Sequence, residues 1–150
     1  MNTNVAADDL AKFLDGLILQ IDNGARKDFT VVGFNLGAQV VGLAAKRMKQ
    51  GPLPRIIALD PSKPLFEFKD DSKRLASKDA EFLLTIHTAG GFIAFSKPIG
   101  HVDFYPNGGI APQPPCSEEG SEKDVVLAVL RIAVQPDGVP SYTVRLLVSF

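Results

Sequence analysis

The chain has 150 residues, a hydrophobic content of 45% and a formal net charge of −1, values that fit one globular domain large enough to bury a core. This balance gives no support to a nucleic-acid-binding role, since the basic residues Lys46, Arg47 and Lys49 lie at the predicted end of a helix, where the helix dipole favours cations. The longest apolar run after the first helix, Val125 to Leu130, is too short to cross a bilayer, so we expect no transmembrane segment.

The first predicted element is an amphipathic helix that ends at Asn23-Gly24. No charged-then-apolar signal region precedes it, so no signal peptide is predicted in this chain. The apolar residues of the helix recur at intervals of three and four positions, which predicts one buried face: Leu10, Phe13, Leu14, Leu17, Ile18 and Ile21.

A strand, a tight turn and a second helix are predicted next. Asp28 to Val32 has the composition of a short buried strand, and Leu36 to Lys49 has the apolar spacing of a helix. Between them lies Gly33-Phe34-Asn35-Leu36-Gly37, which has the frame of a nucleophile elbow, where small residues flank a strained central residue. Serine normally occupies the centre of this frame. Asn35 stands there instead, and its amide nitrogen cannot attack an ester as an alkoxide does.

Four further segments follow in a fixed order. They are Leu59 to Phe66, Asp79 to Thr88, Pro98 to Gly109 and Gln113 to Cys116. Together with the elbow, this ordered series closely resembles the pancreatic lipase family, which includes neutral lipases, phospholipases A1 and the yolk proteins of flies. The resemblance covers about Val5 to Cys116 and implies an α/β fold of the hydrolase type, with a mostly parallel sheet and flanking helices.

The resemblance also assigns positions in the site. The family pattern Gly-His-Ser-Leu-Gly-Ala-His places Asn35 at the nucleophile position, where it is inert, and this chain departs from the pattern also at Phe34 and Gln39. Asp60 matches the triad acid, and the amide of Leu36 matches one donor of the oxyanion hole. No metal and no cofactor are predicted.

The chain has two histidines, and neither matches the family's triad histidine, which lies beyond a disulfide-closed lid. His87 ends a predicted strand, and His101 opens the strand before a Pro-Asn-Gly-Gly turn, so structural roles are expected for both. Asp79 and Asp103 are expected to be strand-edge and turn carboxylates.

The lid disulfide cannot form within this chain, because Cys116 is its only cysteine and is therefore expected to be a free thiol. The sequence thus divides into a lipase-like, incomplete segment over residues 1–116 and a divergent tail over residues 117–150. In the tail, a turn signal at Gln135 to Gly138 and the alternating residues of Tyr142 to Phe150 predict a C-terminal β-hairpin, with a helix at Asp124 to Val134 as the alternative.

Family strands that precede the elbow have no counterpart in this sequence, so the strand before the elbow is expected to have an unpaired edge. The C-terminal strand or a second copy of the chain would cover that edge, and a homo-oligomer is one predicted outcome. The resemblance predicts a catalytically inactive, lipid- or sterol-binding protein that is extracellular like its family. The alternatives are a carboxylic ester hydrolase of the triacylglycerol lipase or phospholipase A1 type, and a non-functional fragment of one.

Overall fold

A computed structural model describes residues 2–21, 26–113 and 145–148 of the chain. The described regular elements alternate between helix and strand and then continue as strands, with short 3-10 turns in the loops. They are α1 (Thr3–Ile18), β1 (Thr30–Phe34), α2 (Leu36–Ala45), β2 (Leu53–Leu59), β3 (Ala80–Ile86), β4 (Val102–Phe104) and β5 (Arg145–Val148).

All five strands belong to one parallel sheet with the order β4-β3-β2-β1-β5. In the centre of the sheet, Val31 of β1 pairs with Ile56 on one side and with Leu146 on the other. The edge of β1 that the sequence predicted to be open is therefore paired with β5. The C-terminal strand, one of the two predicted solutions, provides this cover within a single chain.

Only a part of the predicted C-terminal hairpin lies within the described residues. Its second arm, predicted at Tyr142 to Phe150, contains β5, and β5 runs parallel to its partner β1. The predicted first arm at Asp124 to Val134 and the turn at Gln135 to Gly138 lie outside the described residues.

Both long helices pack on the same face of the sheet. Their apolar residues join alternate residues of the strands in one large core, which includes Leu14, Val40, Val31, Leu83 and Val148. The opposite face carries a smaller buried cluster of Val32, Ile57, Leu59 and Ile86. Because a parallel sheet buries both faces, the strands have nearly continuous apolar sequences.

Helix α1 is shorter at its C-terminal end than predicted. It begins after Asn2, whose side-chain oxygen accepts a hydrogen bond from the amide of Asn4, and it ends at Ile18. Its buried residues include Leu14 and Ile18, as predicted, whereas Phe13 of the predicted apolar face is 54% exposed. The predicted face omitted Ala7 and Ala11, which are buried in the core.

Helix α2 also ends earlier than predicted, at Ala45 instead of Lys49. The chain after the helix is held by α1, because both carboxylate oxygens of Asp15 accept a hydrogen bond from the amide of Lys49 at 3.0 Å and one also accepts from that of Gln50. A contact between elements distant in sequence therefore sets this helix end, which local propensity placed one turn later.

Lys46 and Asp79 form an ion pair between the end of α2 and the start of β3, in which the Asp79 side chain is buried and the Lys46 side chain is 20% exposed. The Asp79 carboxylate also accepts a hydrogen bond from the amide of Ala76 at 2.9 Å. Burial raises the pKa of the Asp79 carboxyl, and the hydrogen bond and charge of Lys46 act in the opposite direction without cancelling it. Lys46 lies at the end of α2 and Asp79 directly before β3, as predicted, but the ion pair between them was not predicted.

We expect Lys46→Met to destabilise the chain by about 3 kcal/mol at neutral pH, because it leaves a buried carboxylate without its cation. A carboxyl whose pKa is higher in the folded than in the unfolded state contributes stability below its unfolded pKa and loses it as the pH rises through its folded pKa. The variant raises the folded pKa of Asp79 further, so the free energy of unfolding should fall more steeply with rising pH than in the wild type.

Urea denaturation at acidic and neutral pH measures this effect. Lys12→Met is the control, since Lys12 pairs with Asp9 on the exposed surface of α1 and should change the stability by less than about 1 kcal/mol. Equal stability losses for both variants at neutral pH would show that the Lys46–Asp79 pair does not stabilise the fold.

Candidate functional site at the carboxyl edge of the sheet

The predicted elbow forms between β1 and α2. Asn35 has φ 49° and ψ −112°, and such a positive φ is rare for residues other than glycine. The elbow is tied to the neighbouring strand end on both sides of this residue: the amide of Asn35 donates to Leu59 O at 2.9 Å, and its carbonyl accepts from the amide of Ser62 at 3.0 Å. Leu36, the residue predicted to supply an oxyanion amide, is the first residue of α2.

Glycine at position 33 permits the sharp turn. A Cβ atom added to Gly33 would lie 2.5 Å from Cα and 2.8 Å from N of Ala38, which are backbone atoms of α2 that cannot move aside. The strand and the helix therefore approach each other more closely than any residue with a side chain allows.

Asp60 lies at the end of β2, next to the elbow. The side-chain amide of Asn35 donates a long hydrogen bond of 3.4 Å to the backbone carbonyl of Asp60. The Asp60 carboxylate is buried and is directed toward the chain after β3, where it accepts hydrogen bonds from the amides of Thr88 at 2.6 Å and Ala89 at 3.0 Å and from the Thr88 hydroxyl. The fold thus brings the nucleophile position and the acid position together, and the carboxylate anchors the next loop.

The two histidines have hydrogen-bond partners other than Asn35 and Asp60. His87 is fully buried, and its ring nitrogens contact Phe95 O and Asp103 Oδ1, each at 2.7 Å. Its ring stacks on that of Tyr105 with centroids 4.5 Å apart, and burial together with the Asp103 charge raises the pKa of Tyr105. His101 Nδ1 accepts a hydrogen bond from the amide of Leu83.

Asp103 lies in β4, not in a turn as expected. Besides His87, its carboxylate accepts hydrogen bonds from the amides of Ile99 at 3.1 Å and Gly100 at 3.0 Å. The pair of His87 and Asp103 therefore ties the end of β3 to β4, and both ring nitrogens of His87 are engaged there.

Three buried polar residues of this edge have roles that the sequence did not reveal. Gln39, fully buried on α2, donates to Ser62 O at 2.8 Å and accepts from the amide of Leu75 at 2.9 Å. Thr88 binds Asp60 as described, and Gln113 donates to Thr88 O and Ile110 O, both at 2.9 Å.

Exposed apolar side chains surround this edge. They lie in the chain after β2 and β3 and at or beyond the end of β4, and we call them the apolar rim: Leu65, Phe68, Phe92, Ile93, Phe104 and Ile110. The most exposed are Phe68 at 97% and Phe92 at 86%. Lys63 links two of the loops, since its amide donates to Ile93 O at 2.9 Å and its ammonium group to Gly91 O at 3.0 Å.

Within residues 2–21, 26–113 and 145–148, no group of three or more histidine, cysteine or acidic side chains could hold a metal ion. The same part of the chain contains no helix of sufficient length and apolar character to cross a membrane. Cys116, predicted to be a free thiol, lies outside the described residues.

A parallel sheet with a strand, a strained elbow and a helix at its carboxyl edge is the arrangement of the α/β-hydrolase class. The sequence model of the lipase family matches residues 1–133. The chain belongs to the lipase family, and the resemblance to the pancreatic lipase group is confirmed.

Several curated relatives are similar to the chain. Lipase member H of Xenopus tropicalis is 40% identical over 116 residues, which are 77% of this chain and 24% of that protein. Lipase member H of Oryctolagus cuniculus is 38% identical over 107 residues, or 71% and 23% of the two chains. Lipoprotein lipase of Sus scrofa is 36% identical over 120 residues, or 77% and 24%. The chain thus spans about a quarter of the length of these relatives.

Gly33→Ala should destabilise the chain by about 1–3 kcal/mol, because the new methyl group meets the backbone of α2. Gly16→Ala is the matched control: an added Cβ there meets nothing within 4 Å, and alanine in a helix is favoured over glycine by roughly 0.5–1 kcal/mol. Urea denaturation of both variants measures the difference. We expect Gly33→Ala to lower the free energy of unfolding and Gly16→Ala to raise it. An unchanged urea midpoint for Gly33→Ala would contradict the close approach of β1 and α2.

Proposed function

We propose that this member of the lipase family binds a lipid or fatty ligand without hydrolysing esters. The observation that carries the proposal is Asn35 at the centre of the elbow. Its amide nitrogen shares its lone pair with the carbonyl group and is no substitute for a serine alkoxide. An enzyme that acts on esters through this elbow needs a nucleophile at this position.

The surroundings of Asn35 support the same conclusion. A triad requires an imidazole between the nucleophile and the acid. The ring nitrogens of His87 contact Phe95 and Asp103, and Nδ1 of His101 accepts a hydrogen bond from Leu83. The carboxylate of Asp60 accepts three hydrogen bonds from Thr88 and Ala89, a role that maintains the loop after β3. Asp60 therefore has a structural role that does not depend on catalysis.

The apolar rim supports the binding part of the proposal. Exposed aromatic and aliphatic side chains from three loops lie at one edge of the sheet, and exposed apolar patches of this kind are typical of binding surfaces. We propose that these side chains contact the acyl chains of a lipid, and that the protein acts outside the cell, as the family resemblance suggests.

The wild-type chain should not hydrolyse a chromogenic short-chain ester above a denatured-protein control. In a well-studied serine protease, loss of the nucleophile alone lowers turnover by about 10⁶-fold. Asn35→Ser should also remain inactive and unlabelled by a fluorophosphonate probe, because the new hydroxyl has no imidazole partner. Asn107→Ser is the matched control, since Asn107 also has a φ of 49° but lies far from the elbow in sequence.

Two results would contradict the proposed inactivity. One is ester turnover by the wild type that Asp60→Ala abolishes. The other is labelling of Asn35→Ser clearly above that of Asn107→Ser, which would reveal a base acting on position 35.

Lipid binding is tested by sedimentation of the chain with phosphatidylcholine vesicles. The double variant Phe68→Ser/Phe92→Ser should weaken binding by roughly tenfold for each phenylalanine, the effect of losing about 1.5 kcal/mol of apolar burial per ring. Phe13→Ser, which removes an exposed phenylalanine of α1, should bind like the wild type. Binding that does not depend on Phe68 and Phe92, or no binding by the wild type, would contradict the role of the apolar rim and leave the proposed inactivity standing.

A further inference from the structure

The backbone of Asn35 has a geometry that matters for the chemistry of its own side chain. At ψ −112°, the chirality of an L-residue turns the amide nitrogen of Leu36 to the same side of the Cα–C bond as Cβ of Asn35, so that the two atoms are nearly eclipsed. A five-membered succinimide ring, formed when that nitrogen bonds to Cγ of the asparagine, requires this eclipsed arrangement. The backbone of the elbow therefore meets the ψ requirement for ring closure at Asn35.

The nitrogen that would attack is also activated by its place in the fold. Leu36 is the first residue of α2, and the amides of a helix's first turn have no acceptor within the helix. The positive end of the helix dipole favours negative charge that develops on this nitrogen and on the carbonyl oxygen of the side chain. Asn35 itself is only half-buried, and its side-chain amide makes the long hydrogen bond of 3.4 Å to Asp60 O. Water can therefore reach the side chain, and ammonia can leave it.

Asn107 provides the opposite case within the same chain. It precedes Gly108, and a following glycine gives the backbone nitrogen the freest approach to an asparagine side chain in an unfolded chain. In the folded chain, ψ of Asn107 is 38°, which turns the amide nitrogen of Gly108 away from Cβ. The side-chain amide of Asn107 also donates to Gln113 Oε1 at 2.8 Å. Folding thus opposes ring closure at Asn107 and favours it at Asn35.

We propose that Asn35 is a site of spontaneous deamidation in the folded protein. The amide nitrogen of Leu36 loses its proton to solvent and attacks Cγ of Asn35. The bond between Cγ and Nδ2 breaks, and ammonia leaves with a proton from water. Hydrolysis of the succinimide by a second water then gives aspartate or isoaspartate, which places a negative charge at the centre of the elbow.

The test compares the folded chain with the same chain in guanidinium chloride, both incubated at mildly alkaline pH. Trypsin cuts after Lys27 and Lys46, so the peptide of residues 28–46 carries Asn35 and no other asparagine. We expect mass spectrometry to show deamidation of this peptide several-fold faster in the folded than in the denatured chain. Asn107, on another peptide, should show the reverse order.

Asn35→Gln is the control, since a glutamine at this position would have to close a six-membered ring. The mass gain of the 28–46 peptide should disappear in this variant. A gain that persists would arise from a glutamine and not from Asn35, and it would overturn the proposal. Equal or slower deamidation of Asn35 in the folded chain than in the denatured chain would overturn it as well, whatever the outcome of the ester and vesicle assays.

Discussion

The site depends on one steric constraint, the close approach of β1 and α2 at Gly33 and Ala38. Because no side chain separates these two backbones, the chain must reverse within a very short stretch, and Asn35 takes up the positive φ that this reversal requires. Every other contact of the elbow, including the hydrogen bonds to Leu59 and Ser62, follows from that position. The geometry of a nucleophile elbow is thus retained around a residue that is not a nucleophile.

The loops at the carboxyl edge of the sheet are held by buried polar groups in place of catalytic ones. The carboxylate of Asp60 fixes the start of the loop after β3, and the pair of His87 and Asp103 closes its end. Gln39 connects α2 with the loop after β2. Burying a polar group costs free energy unless the group is hydrogen-bonded. Each of these groups has such bonds, and those bonds connect separate parts of the fold.

Local sequence patterns predicted the elements that short-range physics determines. The elbow frame could be predicted because glycine spacing reports backbone geometry directly, and the position of Asp60 followed from the family resemblance. The strand before the elbow was predicted two residues too early, at Asp28 to Val32, whereas β1 is Thr30–Phe34. The end of α2 could not be predicted, since the carboxylate of Asp15 on another helix captures the amides beyond it.

The ion pair between α2 and the start of β3 could not be predicted from the sequence either. Lys46 and Asp79 are far apart in the chain, and only the packing of α2 against the start of β3 brings them together. The position of β5 could be given only as one of two possibilities, because an alternating strand can add to any free edge of suitable length. For the candidate site, the sequence placed Asn35 and Asp60 next to each other and had no signal for the role of Thr88.

The order of the strands has a consequence for the way in which the chain acquires its structure. Strands β1, β2 and β3 are neighbours both in the sheet and along the chain, so they close short loops and can assemble early. Strand β5 pairs with β1 across nearly the whole sequence, and such a contact carries the largest loop-closure entropy in the sheet. Until β5 docks, the apolar strand β1 offers a free edge to other chains, so a nascent or refolding molecule passes through a stage in which it is vulnerable to aggregation.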